Sequence, residues 1–159
     1  MIRAILACDE NWGIGKAGTL PWPHNPADLK WFKKNTTGGV VVMGKGTWDS
    51  LPITPLPNRN NIVVTSSEKD KDQGGYHYIK FDTAQTELTN MNRLQDIWII
   101  GGGQLVVGLL PIIDEFWLSQ IAGSYDCDTF LPSTLIQENY SLTSSQRDSG
   151  IYVDKWSKR

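Results

Sequence analysis

The chain has 159 residues, of which 40% are hydrophobic and 20% charged, with a formal net charge of −2 at pH 7. This length predicts one domain with its own hydrophobic core, and so small a net charge excludes the electrostatic footprint of proteins that bind nucleic acid or anionic membranes. No apolar run approaches the roughly 18 residues of a membrane-spanning helix.

The N-terminal segment is short and apolar and stops at Asp9-Glu10. It lacks the length of a signal sequence, so we predict a buried strand there. The only two cysteines, Cys8 and Cys127, lie far apart and have no metal-ligand spacing. We therefore expect two free thiols, no bound metal and a cytoplasmic location, with one long-range disulfide as the alternative.

Eight short runs rich in β-branched residues recur along the chain, each bounded by Gly, Pro, Asn or Asp. Several are apolar throughout, which is typical of strands in a parallel sheet that is covered on both faces. The last two alternate and flank Arg147-Asp148-Ser149-Gly150, which predicts an antiparallel hairpin. The predicted strands span residues 2–7, 40–43, 62–65, 76–81, 97–100, 115–121, 140–145 and 151–156.

Helical patterns separate these strands at residues 26–35, 46–51, 83–92 and 103–110. Alternating strands and helices predict an α/β fold. We expect residues 1–159 to form a single domain with a mostly parallel, eight-stranded central sheet, an antiparallel C-terminal hairpin and four flanking helices. Residues 69–75 are predicted to be a solvated surface loop. The acid pairs Asp9-Glu10 and Asp114-Glu115 are expected to be exposed caps at strand ends.

A long connection, residues 9–23, follows the first strand and is called the lid segment below. Trp12, Ile14, Leu20 and Trp22 in it are poor choices for side chains that face solvent. This composition favours a loop that closes over an apolar ligand. A structural loop that packs on its own side chains is the alternative.

The first predicted helix begins at Asn25-Pro26, where Asn25 is the expected N-cap and Pro26 the first helical residue. Asp28 shares a face of this helix with Leu29 and Phe32 because of the 3.6-residue period. A carboxylate therefore lies among large apolar side chains, where the helix dipole favours its charge. Either it is a capping acid on an ordinary amphipathic helix, or it binds a ligand.

Two strand–glycine–helix junctions occur, at Gly44-Lys45-Gly46-Thr47 and at Gly101-Gly102-Gly103-Gln104. Free backbone N–H groups at such junctions bind phosphates. Neither junction matches a P-loop or a dinucleotide fingerprint. Two of them in one small α/β domain nevertheless favour a dinucleotide at the carboxyl edge of the sheet. A lone acid beside a dinucleotide suggests hydride chemistry, in which the cofactor supplies the reactive atom.

In this order and spacing, the residues resemble the dihydrofolate reductase family of the short bacterial or bacteriophage type. The resemblance covers roughly residues 2–132. It implies NADPH-dependent reduction of 7,8-dihydrofolate to 5,6,7,8-tetrahydrofolate by hydride transfer to pterin C6. The matching stretches are Gly13-Ile14-Gly15, Leu20-Pro21-Trp22, Pro26-Ala27-Asp28-Leu29-Lys30-Trp31-Phe32-Lys33, Val42-Met43-Gly44-Lys45-Gly46-Thr47-Trp48-Asp49-Ser50, Pro55-Leu56-Pro57-Asn58-Arg59-Asn60-Asn61, Ile99-Ile100-Gly101-Gly102-Gly103 and Asp128-Thr129-Phe130-Leu131-Pro132.

The resemblance implies that Asp28 binds the 2-amino group and N3 of the pterin and favours protonation of N5 from water. Trp22 and Leu20 would govern the entry of that water. Ser119 stands where the family usually has a threonine whose hydroxyl supports the carboxylate. Arg59 would pair with the α-carboxylate of the folate glutamate. The other implied substrate contacts are Ile5, Leu6, Leu29, Phe32, Leu51, Leu56 and Ile100.

For the cofactor, the resemblance implies a cis peptide bond between Gly101 and Gly102. Lys45, Gly46 and Gln104 replace residues that are commonly basic, so the preference for NADPH over NADH is expected to be weaker than usual. The implied cofactor contacts are Ala7, Ile14, Gly15, Leu20, Gly44, Lys45, Gly46, Thr47, Thr65, Ser66, Gly101, Gly102, Gly103, Gln104 and Leu105.

Three other interpretations stay open: a related reductase of riboflavin synthesis, a reductase-like module with a structural role, and a generic α/β nucleotide-binding protein. The sequence of the predicted helix around Asp28 and the segment around Arg59 favour the folate enzyme over these three interpretations. The expected partners are then dihydrofolate and antifolate inhibitors, with no nucleic acid and no membrane. A monomer is expected because no long apolar surface stripe is evident.

Overall fold

The computed structural model describes residues 1–18, 20–66, 71–73, 76–148 and 150–159. Within these residues the helices are α1 (Pro26–Thr36), α2 (Lys45–Ser50), α3 (Ala84–Met91), α4 (Gly103–Leu109) and α5 (Ser133–Asn139), with short 3₁₀ turns at Phe81–Thr83 and Leu110–Ile112. The strands are β1 (Ile2–Cys8), β2 (Gly13–Gly15), β3 (Val40–Gly44), β4 (Asn60–Thr65), β5 (Lys71–Gln73), β6 (Tyr76–Lys80), β7 (Ile97–Gly101), β8 (Glu115–Gln120), β9 (Thr129–Phe130), β10 (Tyr140–Asp148) and β11 (Ile151–Lys158).

The central sheet has the strand order β10-β11-β8-β1-β7-β3-β4-β6-β5. Strands β8, β1, β7, β3, β4 and β6 run parallel, whereas β11 is antiparallel to both β8 and β10. The predicted fold class is therefore confirmed, and all eight predicted strands are present. β1, the first strand of the chain, lies inside the sheet between β7 and β8.

The segment predicted as a loop at residues 69–75 is partly a strand. Its described part, Lys71–Gln73, forms β5 and pairs antiparallel with β6 at the edge of the sheet. The prediction was wrong for these three residues because edge pairing depends on the neighbouring strand, and polar edges are common in natural sheets. Residues 69, 70, 74 and 75 lie outside the described residues.

Both faces of the sheet are covered by apolar side chains, as the continuous apolar runs predict. Val41 of β3 packs with Trp31 and Trp98 on one face, while Val42 packs with Ile99 on the other. The four residues from Val40 to Met43 are completely buried. This double covering explains why these strands show no alternation of apolar and polar residues.

The first helix begins as predicted, because the side chain of Asn25 accepts a hydrogen bond from the backbone N–H of Asp28 at 3.1 Å. α5 was not predicted. It is only seven residues long, follows Pro132, and has no capping side chain among the described residues. Burial of Ile136 against the sheet stabilises it instead, and tertiary packing of this kind leaves little trace in local sequence.

Asp9 is not the exposed cap that we predicted. Asp9 is only 2% exposed, and its Oδ1 accepts the backbone N–H groups of Asn11 and Gly13, both at 2.9 Å. Oδ2 accepts the backbone N–H of Tyr125 at 3.1 Å and the thiol of Cys127 at 3.4 Å. The carboxylate thus ties the start of the lid segment to the loop after β8.

Gly13 is required at the same contact. A Cβ at this position would collide with the side chain of Cys127 and would lie 2.9 Å from Oδ1 of Asp9. Cys8 and Cys127 are both free thiols, and burial raises the pKa of Cys8 to about 12. Asp114 and Glu115 are half-buried, and Asp114 accepts the backbone N–H of Ile2 at 2.8 Å.

Among the described residues, no helix combines the length and the apolar character that crossing a lipid bilayer requires.

Candidate active site

A cleft of about 950 Å³ opens at the carboxyl edge of the parallel strands. The ends of β1, β3, β4 and β7 meet there because parallel strands place their carboxyl ends on the same side of the sheet. Every residue that the sequence implied as a cofactor contact lines this cleft, and Leu6 and Ile100 line it as well. The structure therefore brings the two glycine junctions, the end of β4 and the lid segment together.

The two glycine junctions lie side by side in the cleft, because the strands that they follow, β3 and β7, are paired neighbours. A Cβ on Gly44 would lie 3.8 Å from the backbone nitrogen of Gly102. These glycines are the N-caps of α2 and α4, and neither helix has a side-chain cap within the described part of the chain. The first N–H groups of both helices are thus available to an anion. The peptide bond between Gly101 and Gly102 is cis, as the resemblance implied.

The described lining of the cleft carries little charge. Of the described residues that line it, only Lys45 has a charged side chain, and its Nζ lies 2.6 Å from Oδ1 of Asp49. The other lining residues that the structure describes are glycine, aliphatic or neutral polar, apart from one aromatic ring, that of Phe81. These residues offer a ligand backbone N–H groups and van der Waals contacts, and few cationic side chains.

Asp28 lies outside this cleft, in the first turn of α1. Burial raises the pKa of its carboxyl above the usual value, and the nearby hydroxyl of Ser119 opposes this shift. Ser119 is 1% exposed and lies on β8 directly beside Ala7 of β1. Its hydroxyl makes no hydrogen bond of ordinary geometry among the described residues, although it is close enough to influence Asp28. The acid and the hydroxyl that were predicted to act together are therefore adjacent.

An apolar surface continues from Asp28. Phe32, Leu51 and Leu56 pack against the core cluster that contains Ile5 and Trp31. Ile100 packs against the same cluster and also lines the cleft, so it connects the two regions. Leu29 differs from this group because its side chain is 49% exposed.

Arg59 contacts this surface at Phe32. Its Nε donates to the carbonyl of Pro57 at 2.9 Å, and its Nη1 donates to the hydroxyl of Thr36 at 3.0 Å. The guanidinium carbon lies 5.6 Å from the ring centroid of Phe32. Since a guanidinium has five N–H donors, these two bonds fix its plane and leave donors for a carboxylate.

The lid segment is held at both ends. Its β2 pairs with β9, and Asp128 accepts the backbone N–H of Ala17 at 2.9 Å. Trp22 is buried and packs edge-on against Tyr125, with ring centroids 6.1 Å apart. Leu20 is 60% exposed and lines the cleft, so it is the lid side chain best placed to cover a ligand. Thr19 lies outside the described residues.

Sequence reasoning missed some cleft residues. The missed residues share no motif. They line the cleft because the strands, helices or loops to which they belong end beside it. They are Gly18, Ser50, Val64, Phe81 and Thr129.

The sheet is mostly parallel, two adjacent glycine junctions lie in the cleft at its carboxyl edge, and one half-buried acid lies nearby. These features define a class of protein that holds a dinucleotide beside a second ligand. Comparison with known proteins gives the family. The family model described as dihydrofolate reductase matches residues 1–151. The chain belongs to the dihydrofolate reductase family.

Relatives of known name agree with this assignment. Dihydrofolate reductase of Bacillus subtilis is 37% identical over 147 residues, which cover 92% of this chain and 84% of the relative. That of Haemophilus influenzae is 41% identical over 128 residues, which cover 80% and 76%. A solved structure of dihydrofolate reductase from Enterococcus faecalis, complexed with NADP(H) and RAB-propyl, matches with a TM-score of 0.84 at 29% identity. That match covers 100% of this chain and 96% of the other.

Proposed function

We propose that this chain reduces 7,8-dihydrofolate to 5,6,7,8-tetrahydrofolate with NADPH. The observation that carries the proposal is the half-buried carboxyl of Asp28 beside Ser119. Ser119 pairs with Ala7, and Ala7 belongs to a cleft whose lining includes every implied cofactor contact. Family membership supports the same reaction, and the Enterococcus faecalis relative is complexed with NADP(H).

The residues of the cleft fit a dinucleotide. The adjacent N-termini of α2 and α4, which have no side-chain cap among the described residues, would bind the pyrophosphate through backbone N–H groups. Thr65 and Ser66 at the end of β4, with Lys45, would meet the phosphate on the adenosine ribose. Ala7, Ile14 and Leu20 would contact the nicotinamide. When bound, the cofactor supplies the hydride.

Asp28 would orient the pterin. Its two carboxylate oxygens can accept hydrogen bonds from the 2-amino group and N3, and such charge-assisted pairs are short and directional. Its negative charge, in a setting where burial raises the pKa of the acid, would stabilise positive charge at N5. Water would supply the proton at N5, and Leu20 and Trp22 would control access of that water.

A spectrophotometric assay tests the proposed reaction. NADPH oxidation, followed by its absorbance, should require both the chain and 7,8-dihydrofolate, and the product should be tetrahydrofolate. An active site for another pteridine, or a structural module, would bind NADPH without this turnover. Absence of turnover with correctly folded protein would therefore overturn the proposal.

Arg59→Lys tests the predicted contact with the glutamate tail. We expect KM for dihydrofolate to rise about tenfold with little change in kcat, because lysine loses the second, parallel hydrogen bond to a carboxylate. The measurement is steady-state kinetics with dihydrofolate and with a dihydropterin that lacks the glutamate tail. KM for the truncated substrate should stay at the wild-type value; an equal rise for both substrates would contradict the assignment.

A further inference from the structure

Phe81 is a large aromatic residue at the rim of the cleft that the proposed function leaves without a role. It begins the 3₁₀ turn Phe81–Thr83 that follows β6, and its side chain is 43% exposed. It lines the cleft with Thr65 and Ser66 at the end of β4 and with Gln104 of α4. Among the described residues of the cleft it is the only aromatic side chain.

The position of the ring depends on Gly108. A Cβ at Gly108 would collide with the Cζ of Phe81 and would lie 2.9 Å from its Cε2. Gly108 lies in α4 with no positive φ. Because glycine is disfavoured within helices, its backbone conformation does not explain its presence, whereas the space it leaves for the ring does. The ring is therefore seated against the helix with its remaining surface exposed at the cleft.

This end of the cleft is the one that an adenine base would occupy. The nicotinamide contacts lie near β1 and the lid segment, and the glycine junctions lie between them and the end of β4. A dinucleotide whose pyrophosphate lies on the junctions extends its second base towards Thr65, Ser66 and Phe81. Of the described lining residues only Lys45 is charged, and it is paired with Asp49. Packing against the base should therefore contribute more to the affinity for the adenosine half than ion pairing with the lining does.

We propose that Phe81, seated on Gly108, is the aromatic surface on which the adenine ring of the cofactor packs, and that it determines affinity for the adenosine half. The inference rests on the proposed use of NADPH. Aromatic rings stack well on nucleobases because both present flat π-faces, and removal of such a ring typically lowers affinity about tenfold or more.

The test measures cofactor binding by tryptophan fluorescence, in the absence of dihydrofolate. The ligands are NADPH and reduced nicotinamide mononucleotide, which lacks the adenosine half. Phe81→Ala should raise Kd for NADPH about tenfold and leave Kd for the mononucleotide unchanged. Phe81→Tyr, which keeps the ring, should retain the wild-type Kd for both ligands.

Two further variants test whether the position of the ring matters and whether loss of any exposed ring has the same effect. Gly108→Ala displaces the ring without removing it and should weaken NADPH binding but not mononucleotide binding. Tyr152→Ala removes an exposed ring on β11, outside the cleft, and should change neither Kd. An unchanged Kd for NADPH in Phe81→Ala, or an equal loss for both ligands, overturns the inference while wild-type turnover leaves the proposed function intact. Wild-type protein that fails to bind NADPH overturns both.

Discussion

Replacing Asp28 by asparagine is expected to lower kcat/KM for 7,8-dihydrofolate about a thousand-fold at neutral pH. Asparagine has nearly the same shape, so the pocket is preserved. However, it lacks the negative charge that would bind two pterin N–H groups and stabilise positive charge at N5. The measurement is NADPH oxidation over a range of pH, with circular dichroism to establish that the variant is folded.

The pH profile separates this role from a purely structural one. In mildly acidic solution part of the dihydrofolate is already protonated, so the variant should recover part of its activity as the pH falls. A variant that retained activity within tenfold of wild type, or whose loss did not depend on pH, would contradict the role assigned to Asp28. Glu10→Gln, at an exposed acid outside the cleft, provides a matched control.

The same substitution should make the protein more stable at neutral pH. Burial raises the folded-state pKa of Asp28 above its ordinary value of 3.8, so the folded protein binds this proton more tightly than the unfolded chain. The ionised acid therefore lowers the free energy of unfolding as the pH rises from about 3.8 through the raised pKa. Asparagine removes this penalty, and its advantage in Tm over wild type should vanish at acidic pH.

Asp9→Asn is expected to lower the free energy of unfolding by about 3 kcal/mol, since it breaks a buried, charged hydrogen-bond network. The amide keeps one acceptor oxygen but places an NH₂ group against backbone N–H donors that now meet a carboxylate. Urea denaturation at neutral pH measures the loss. Glu10→Gln, one residue away and exposed, should leave the urea midpoint unchanged.

The pH dependence of this loss has the opposite sign to that of Asp28. Burial alone would raise the pKa of Asp9, but the N–H groups of Gly13, Tyr125 and Asn11 and the thiol of Cys127 lower it below its ordinary value of 3.8. Its contribution to stability is thus complete above pH 3.8 and is lost as the pH falls through the folded-state pKa. A destabilisation that persisted unchanged in acid would indicate lost packing instead of a lost charge network.

The sheet could be predicted from sequence because continuous apolar runs such as residues 40–43 have few alternatives to a doubly covered strand. The glycine residues of the cleft could be predicted as a phosphate-binding region because each of the two junctions directly follows one of these strands. The roles of these residues, like that of Asp28, stay predictions that the experiments above address. In contrast, the burial of Asp9 depends on Tyr125, which is 116 positions away in the chain.

Other features depended on three-dimensional context in the same way. α5 is held by the burial of Ile136, and β5 is held by its pairing with β6. Phe81 reaches the cleft because β6 ends in a turn that meets α4 at Gly108. None of these features has a sequence pattern of its own, since each is decided by a contact with another element of the fold.

The interior position of β1 also bears on how the protein is made. This strand leaves the ribosome before its neighbours β7 and β8, which begin at residues 97 and 115. Until β7 has been synthesised, this apolar strand, in which Ile2 and Ile5 are each 3% exposed in the finished sheet, has neither partner, and until β8 follows it still lacks one. Unpaired apolar strands are templates for aggregation. A nascent chain stalled before residue 115 should therefore be a substrate for chaperones, and completion of the sheet should be a late event in synthesis.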